Sequence, residues 1–339
     1  MIIRFSPADL KLVSLARKPD PMWEIALSLH VLHKSGGSPD FGGWRGFAKE
    51  VVKADARVRD CALQLGRLCP EAEYFPDFLT PVTATHSLRH GIQAVSATPR
   101  ELMSTQFSRT SGPRGRLRAD LCDGDEQARR YLAGALMTYY NALIRPIATE
   151  VVACAEADWA IRRQAFQTDG LAGFFRTFPA EQLRWQPPFL HVRAPECELD
   201  LGGRGLTFVP SYFCWGQPAA LVEPADRPVL VYPLVPGVRA PIPAEPKGDA
   251  LAGLLGRARA RLLTALDVPR SSARLAERAG LAPSSVSEHL AILRAAGLVR
   301  SERSGRSVHH ALTEAGASLL GAQDPLGERP GSGLAATPR

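Results

Sequence analysis

The sequence predicts an α+β protein, predominantly helical and built as two domains. Its 339 residues exceed what one ordinary core organises, since a domain takes roughly 100 to 200 residues. The stretch Pro233–Gly248 (PLVPGVRAPIPAEPKG) holds five prolines and two glycines, which forbid a continuous helix or a central strand. Short β-prone runs gather between Phe189 and Tyr232, whereas apolar residues recur with helical spacing before and after them. The expected division is therefore 1–235 as an α+β domain, 236–248 as a Pro-rich linker, 249–322 as a second domain, and 323–339 as an unstructured tail.

Composition narrows the classes. With 45% hydrophobic and 22% charged residues the chain can bury a core, which excludes collagen-like, coiled-coil and wholly disordered readings. MIIRFSPADL lacks the pattern of a signal peptide and no later segment offers a membrane span, so a cytoplasmic location is expected. Six cysteines at 61, 69, 122, 154, 197 and 214 form no C-x-x-C pair, and they read as small, mostly buried hydrophobes. The net charge of +7 permits an acidic partner, but Arg outnumbers Lys 35 to 6, so the basic balance by itself points to codon composition.

Along the first domain, Asp20–Lys34 spaces Trp23, Ala26, Leu27 and Val31 as one helical face and stops before Gly36 and Gly37. Residues 125–163 carry Tyr131, Leu132, Ala135, Leu136 and Tyr139 on a second stripe, with a break expected at Pro146. Phe107–Asp125 mixes four arginines with glycine and proline and reads as an exposed loop. LHV, LTFV, SYFCW, ALV and VLVY then read as a small sheet or set of hairpins.

After the linker the pattern sharpens. Ala250–Leu266 places Leu251, Leu254, Leu255, Ala258, Leu262 and Leu266 on one face of a helix. Ser272 is placed to cap Ala273–Ala279, Gly280 to end that helix left-handed, and Pro283 to open the next. In 283–296 the stripe Val286, Leu290, Leu293 leaves Ser284, Ser285, Ser287, Glu288 and partly His289 opposite, near the N-terminus, where a recognition helix meets base edges and phosphates. Leu298–Arg303 and Ser307–Leu312 alternate as two strands around Ser304-Gly305-Arg306, with Arg300, Arg303 and Arg306 available to a phosphate backbone or a narrow minor groove. Thr313 caps a closing helix, 314–320. Ten arginines against six acids give 249–322 a net +4, more than half the charge in under a quarter of the chain.

LAERAGLAPSSVSEHLAILRAAGLVRSERSGRSVHHALT resembles the winged helix-turn-helix of the arsenic-repressor (ArsR-type) transcriptional regulators: a hydrophobic turn, a Ser-rich recognition helix followed by His-Leu, an Ala-Gly-Leu-Val exit and a Gly-Arg wing tip. The resemblance covers about 70 residues and implies a homodimer joined through 250–266 and the closing helix. FSPADL, PMWEIALSLHVL, VPSYF and LVYP are similar to a domain fused upstream of such winged helices in high-GC bacteria, which brings no chemistry with it. Metal-sensing members carry Cys ligands before the recognition helix or Asp/His ligands on the closing helix. Ser271–Ala279 has no Cys or His and Glu314–Leu320 has one acid, so the resemblance does not extend to metal control, and no cofactor is expected.

The leading expectation is a DNA-binding regulator, a repressor reading a palindrome through Ser284, Ser285, Ser287 and His289 and anchoring on Arg300, Arg303 and Arg306. Its partners would be double-stranded DNA, a second copy of the chain, and an unknown small-molecule effector at the N-terminal domain. The alternative is an enzymatic or ligand-processing N-terminal domain with the winged helix as an interaction or dimerisation module, although G-x-S-x-G, P-loop and G-x-G-x-x-G patterns are absent from the sequence. A third reading makes the N-terminal domain an interaction platform only. His86 and His90 have i, i+4 ligand spacing without a third ligand, and His30 and His33 read as packing or interface residues. Phe174, Phe175, Phe178, Trp185, Phe189, Phe208, Tyr212, Phe213 and Trp215 line an effector pocket or form the core of the first domain.

Overall fold

A computed structural model describes residues 1–33, 39–70, 74–81, 87–110, 115–221, 227–239, 250–266, 268–304, 307–321 and 326. The chain divides into two compact units, Met1–Ala244 with Leu326–Arg339, and Glu245–Pro325. Both are built of helices and sheets, and the chain is a mixed α+β protein.

In chain order the first unit comprises β1 (Ile2–Arg4), α1 (Pro7–Lys11), β2 (Ser14–Leu15), α2 (Pro21–His33), α3 (Gly42–Ala54), α4 (Ala56–Leu68), α5 (Leu88–Ala97), α6 (Arg100–Ser108), α7 (Arg116–Cys122), α8 (Glu126–Tyr139) and α9 (Ala148–Arg176). It closes with β3 (Leu183–Gln186), β4 (Phe189–Val192), β5 (Glu198–Asp200), β6 (Thr207–Ser211), β7 (Ala219–Leu221) and β8 (Val229–Pro233). Pro146 ends the second predicted stripe as expected: α8 passes through a π-turn at Tyr140–Ile144 and a 3₁₀ turn at Arg145–Ile147 before α9 begins. The widened turn leaves the Leu143 carbonyl to Trp44, whose Nε1 donates to it at 2.9 Å.

The helix expected at 20–34 forms, but it is buried on every side rather than along one stripe: Met22, Glu24, Ile25, Ser28 and Leu29 are buried with Trp23, Ala26, Leu27 and Val31. Such a helix lies at the centre of a bundle, so its polar residues must find partners inside. Ser28 donates to the Ile25 carbonyl at 2.8 Å and meets the Tyr139 hydroxyl at 3.0 Å. His30 lies 3.4 Å from the Cys69 thiol and His33 bonds the Leu29 carbonyl at 2.8 Å, so both act in packing.

The strands form two four-stranded sheets, β3-β4-β1-β5 and β2-β6-β8-β7, the first of which contains the antiparallel β3–β4 hairpin. In the second, β2, β6 and β8 are parallel, which requires long connections that local periodicity does not reveal. SYFCW is a strand only at Ser211. Beyond it Tyr212, Phe213 and Cys214 turn inward, Phe213 stacking on Phe41 and lying 4.5 Å from Trp44. The nine aromatics do not share one pocket. Phe174, Phe175, Phe178 and Phe208 pack a core under the sheets with Trp185 against it, Tyr212 and Phe213 belong to the helical core, and Phe189 and Trp215 are exposed.

Two stretches predicted as loop are ordered in part. Within 107–125, α7 forms and Arg118 is buried, donating to the Phe107 carbonyl, while 111–114 lie outside the described residues. Of the linker, Arg239 is held by Asp40 at 3.4 Å and the Cys214 carbonyl at 2.9 Å, and 240–248 lie outside the described residues. The expectation of an unstructured tail fails at Leu326, which is buried in the helical core. The other residues of 323–339 lie outside those described, as does His86.

The second unit contains α10 (Ala250–Leu255), α11 (Arg257–Thr264), β9 (Arg270–Ser271), α12 (Ser272–Ala279), α13 (Pro283–Ala295), β10 (Val299–Ser304), β11 (Ser307–Leu312) and α14 (Glu314–Gly321). The single helix expected over 250–266 is broken at Gly256, whose φ of +83° is open to glycine and strained for any side chain.

Glu24 ties α2 to the end of β6, its carboxylate accepting from the backbone N–H of Tyr212 at 3.0 Å and of Phe213 at 3.3 Å. Burial pushes its pKa up to about 7, against the opposing pull of Ser211, these two amides and Arg239. The unfolded chain ionises Glu24 at the ordinary carboxylate value and the fold does not, so its contribution is complete at low pH and is lost as pH rises through about 7. Glu24 alone should lower the unfolding free energy by on the order of 3 kcal/mol across that interval. Urea denaturation at stepped pH should show a flatter profile for Glu24→Gln, and an identical profile would contradict this account.

Candidate nucleic-acid interface

Gly280 ends α12 in the left-handed region, at φ +62° and ψ +42°, and the Leu281 N–H returns to the Ala276 carbonyl at 3.0 Å. Pro283 opens α13 at its first position, where its missing N–H costs no helical bond. Val286, Leu290 and Leu293 are buried with Leu262, Leu263, Leu275 and Val299, so the stripe read from the sequence is the one that packs. The opposite face follows from helical geometry. Ser284, Ser287 and Glu288 are exposed, while Ser285 and His289 are half-buried. Ser287 returns its hydroxyl to the Pro283 carbonyl at 3.3 Å, and the His289 Nδ1 is buried without a hydrogen-bond partner among the described residues.

The chain leaves α13 through Gly297 and enters a hairpin. β10 and β11 pair from Val299 opposite Leu312 to Ser304 opposite Ser307, a register that leaves two residues in the connection rather than the three expected. Those two, Gly305 and Arg306, lie outside the described residues, as does the side chain of Arg303. Arg300 is exposed but ion-paired with Glu302, two residues along the same strand face, so an anion at Arg300 must compete with a carboxylate. Thr313 caps α14, its hydroxyl accepting from the Gly316 N–H at 3.1 Å.

A third strand, β9, was not legible in the sequence. It pairs with β11 at His309 opposite Ser271 and His310 opposite Arg270, and it joins the hairpin to the start of α12. Ser272, expected as a helix cap, instead meets His310 Nε2 at 2.8 Å, while Ser301 meets His310 Nδ1 at 2.7 Å. One buried imidazole thus bridges α12, β10 and β11.

The helix α12 forms as the sequence predicts, but sequence reasoning gave its arginines no role. Arg270, Arg274 and Arg278, spaced i, i+4, i+8, line an open cleft of about 490 Å³ with Glu277, which pairs with Arg274 at 3.0 Å. The four-residue arginine spacing was the available signal. Arg274 and Arg278 lie on α12, the first helix of the pair, and Arg270 lies on β9 just before it.

A family model for a helix-turn-helix domain matches residues 254–302. The second unit carries a helix-turn-helix domain. The match ends at Glu302, within β10, so the hairpin turn falls beyond it. No curated protein and no solved structure matches the chain. Among the described residues no group of three potential metal ligands is assembled, and no helix is long and apolar enough to cross a membrane.

His310 has its pKa lowered, first by burial and then by Arg294 and His309, so the fold favours the neutral ring. Its contribution is complete above the ordinary imidazole value and is lost as pH falls through the lowered one. Unfolding of the helix-turn-helix unit should therefore become easier below roughly pH 6.5. His310→Gln should lose stability at pH 8 and show a weaker acid dependence than the parent, measured by denaturant titration at pH 8 and at about pH 5.5. An unaltered acid dependence would remove His310 from this role.

Proposed function

We propose that the protein is a DNA-binding transcriptional regulator, a repressor that acts as a homodimer and places the α13 helices of two subunits in successive major grooves of a palindromic operator. The observation that carries this reading is the exposed, hydroxyl-rich N-terminal face of α13, held outward by the buried stripe on its other side. Ser284, Ser285, Ser287 and His289 read base edges or phosphates there, and the positive end of the helix dipole favours the phosphates. The β10–β11 hairpin acts as the wing, with Arg303 and Arg306 as its anchors. Arg300 contributes less because Glu302 occupies it. Arg270, Arg274 and Arg278 supply a further phosphate contact.

The dimer reading is supported by Leu254, a large apolar side chain left 71% exposed on α10. A second copy packed against α10 and α14 would cover it. The N-terminal unit is read as the regulatory part, responding to a small-molecule effector. Cys69 and Cys214 are poorly suited to act as nucleophiles, because desolvation raises the Cys69 thiol and pushes Cys214 up to about 12, away from the thiolate.

Selection of bound duplexes from a random DNA pool should return a two-fold symmetric sequence whose half-sites lie about one helical turn apart. Arg303→Ala with Arg306→Ala should weaken binding to all sequences alike and flatten the log–log salt dependence by about 0.9 for each phosphate that is no longer neutralised. An unchanged slope would retire the wing, and failure to retain any duplex at low salt would retire the DNA-binding reading.

A further inference from the structure

The open face of the sheet β3-β4-β1-β5 carries a group of basic side chains that the fold does not use. Leu183, Trp185, Leu190 and Val192 point inward, and Trp185 stacks on Phe175 at 4.8 Å, so the alternate residues Gln182, Arg184, His191 and Arg193 share the outer face. Arg184 lies directly opposite His191 in the β3–β4 register. Arg193 is the next outward residue, its N–H donating to the Gln182 carbonyl at 2.8 Å. Among the described residues the side chains of Arg184, His191 and Arg193 have no ion pair or hydrogen bond, whereas Arg4, on the same face, is paired with Asp200. Basic groups set across a strand pair with nothing between them weaken the sheet, so the arrangement awaits a counter-charge.

These residues line a cleft of about 430 Å³, together with Ala180, Glu181 and Val192. That is the size of a small-molecule site. Gln182 lines the cleft, and its Oε1 is buried without a hydrogen-bond partner among the described residues. A buried amide without a partner costs free energy until a ligand or solvent atom meets it. Glu181 is the acid of the lining, unpaired with either arginine, and is available to a hydroxyl or amine on the same ligand.

We propose that this cleft is an oxyanion-binding site of the N-terminal unit, taking a small polar molecule that carries a phosphate or carboxylate group. The anion sits between Arg184, Arg193 and His191, and Gln182 and Glu181 meet its neutral polar groups. The two guanidiniums offer planar forks of N–H donors suited to either oxyanion, and the buried inner face of the hairpin fixes the strands that carry them. The proposal rests on the reading of this unit as the effector-responsive part, but binding is measured without DNA, so the two can fail separately.

Calorimetric titration of the full chain with inorganic phosphate and, separately, with citrate distinguishes the two oxyanions. Saturable binding of at least one is expected, weakened about tenfold or more in Arg184→Ala/Arg193→Ala. Both side chains are exposed and repel the neighbouring basic group, so the variant should fold and melt no lower than the parent. Glu181→Gln should tighten phosphate binding by removing the like charge. Absence of saturable binding of either probe to the parent at millimolar concentration would overturn the proposal, as would binding that the double variant leaves intact. Loss of DNA affinity in the double variant, with neither probe bound, would reassign the face to the phosphate backbone of the operator.

Discussion

Val286, Leu290 and Leu293 can reach the core only if α13 is rotated to one setting, and every functional statement about the second unit depends on that rotation. Burying three aliphatic side chains contributes several kcal/mol at about 1.5–3 kcal/mol each, far more than the serines opposite gain from water. The serines are therefore presented outward as a by-product of core packing. Gly280 sets the other half of the geometry: its left-handed conformation ends α12, and α13 begins three residues later at Pro283.

The electrostatics of this unit are less simple than its net charge of +4 implies. Arg300 and Arg274 each hold an acid, Glu302 and Glu277. Exposed pairs of this kind are worth little to stability, so a phosphate can displace the carboxylate at small cost. His310 works differently, since it is buried and bonded through both ring nitrogens, and it keeps the hairpin in register with the start of α12.

The first unit also places charged groups inside. Asp158 accepts from Arg162 at 2.8 Å, Tyr232 at 2.9 Å and the Val235 N–H at 2.8 Å, while Arg162 lies 3.7 Å over the Phe178 ring and donates to Thr177. A buried pair so fully bonded joins α9 to the end of β8 and leaves no group free for chemistry. Glu24 does the same for α2 and β6, with backbone amides in place of a close cation. The basic side chains of the β3–β4 face contrast with both, because they are neither buried nor bonded.

How much was legible depended on whether the deciding interaction was local. The stop at Gly280, the start at Pro283, the α13 stripe, the α8 stripe and its break near Pro146 all follow from neighbours within one or two turns, and the sequence by itself determined them. The break at Gly256 was passed over because a glycine within an apolar period reads as tolerated until its φ is known. SYFCW carried strand propensity, yet its aromatics gained more from the helical core than from a ladder. The sheets, the bridge from His310 to Ser272 and Ser301, the burial of Glu24, and the meeting of Arg184 with His191 and Arg193 were decided only by the tertiary structure. Most of those pairings join residues far apart in the chain, and the hairpin ones depend on register; their free energy arises from pairing register and desolvation, neither of which leaves a period in the sequence.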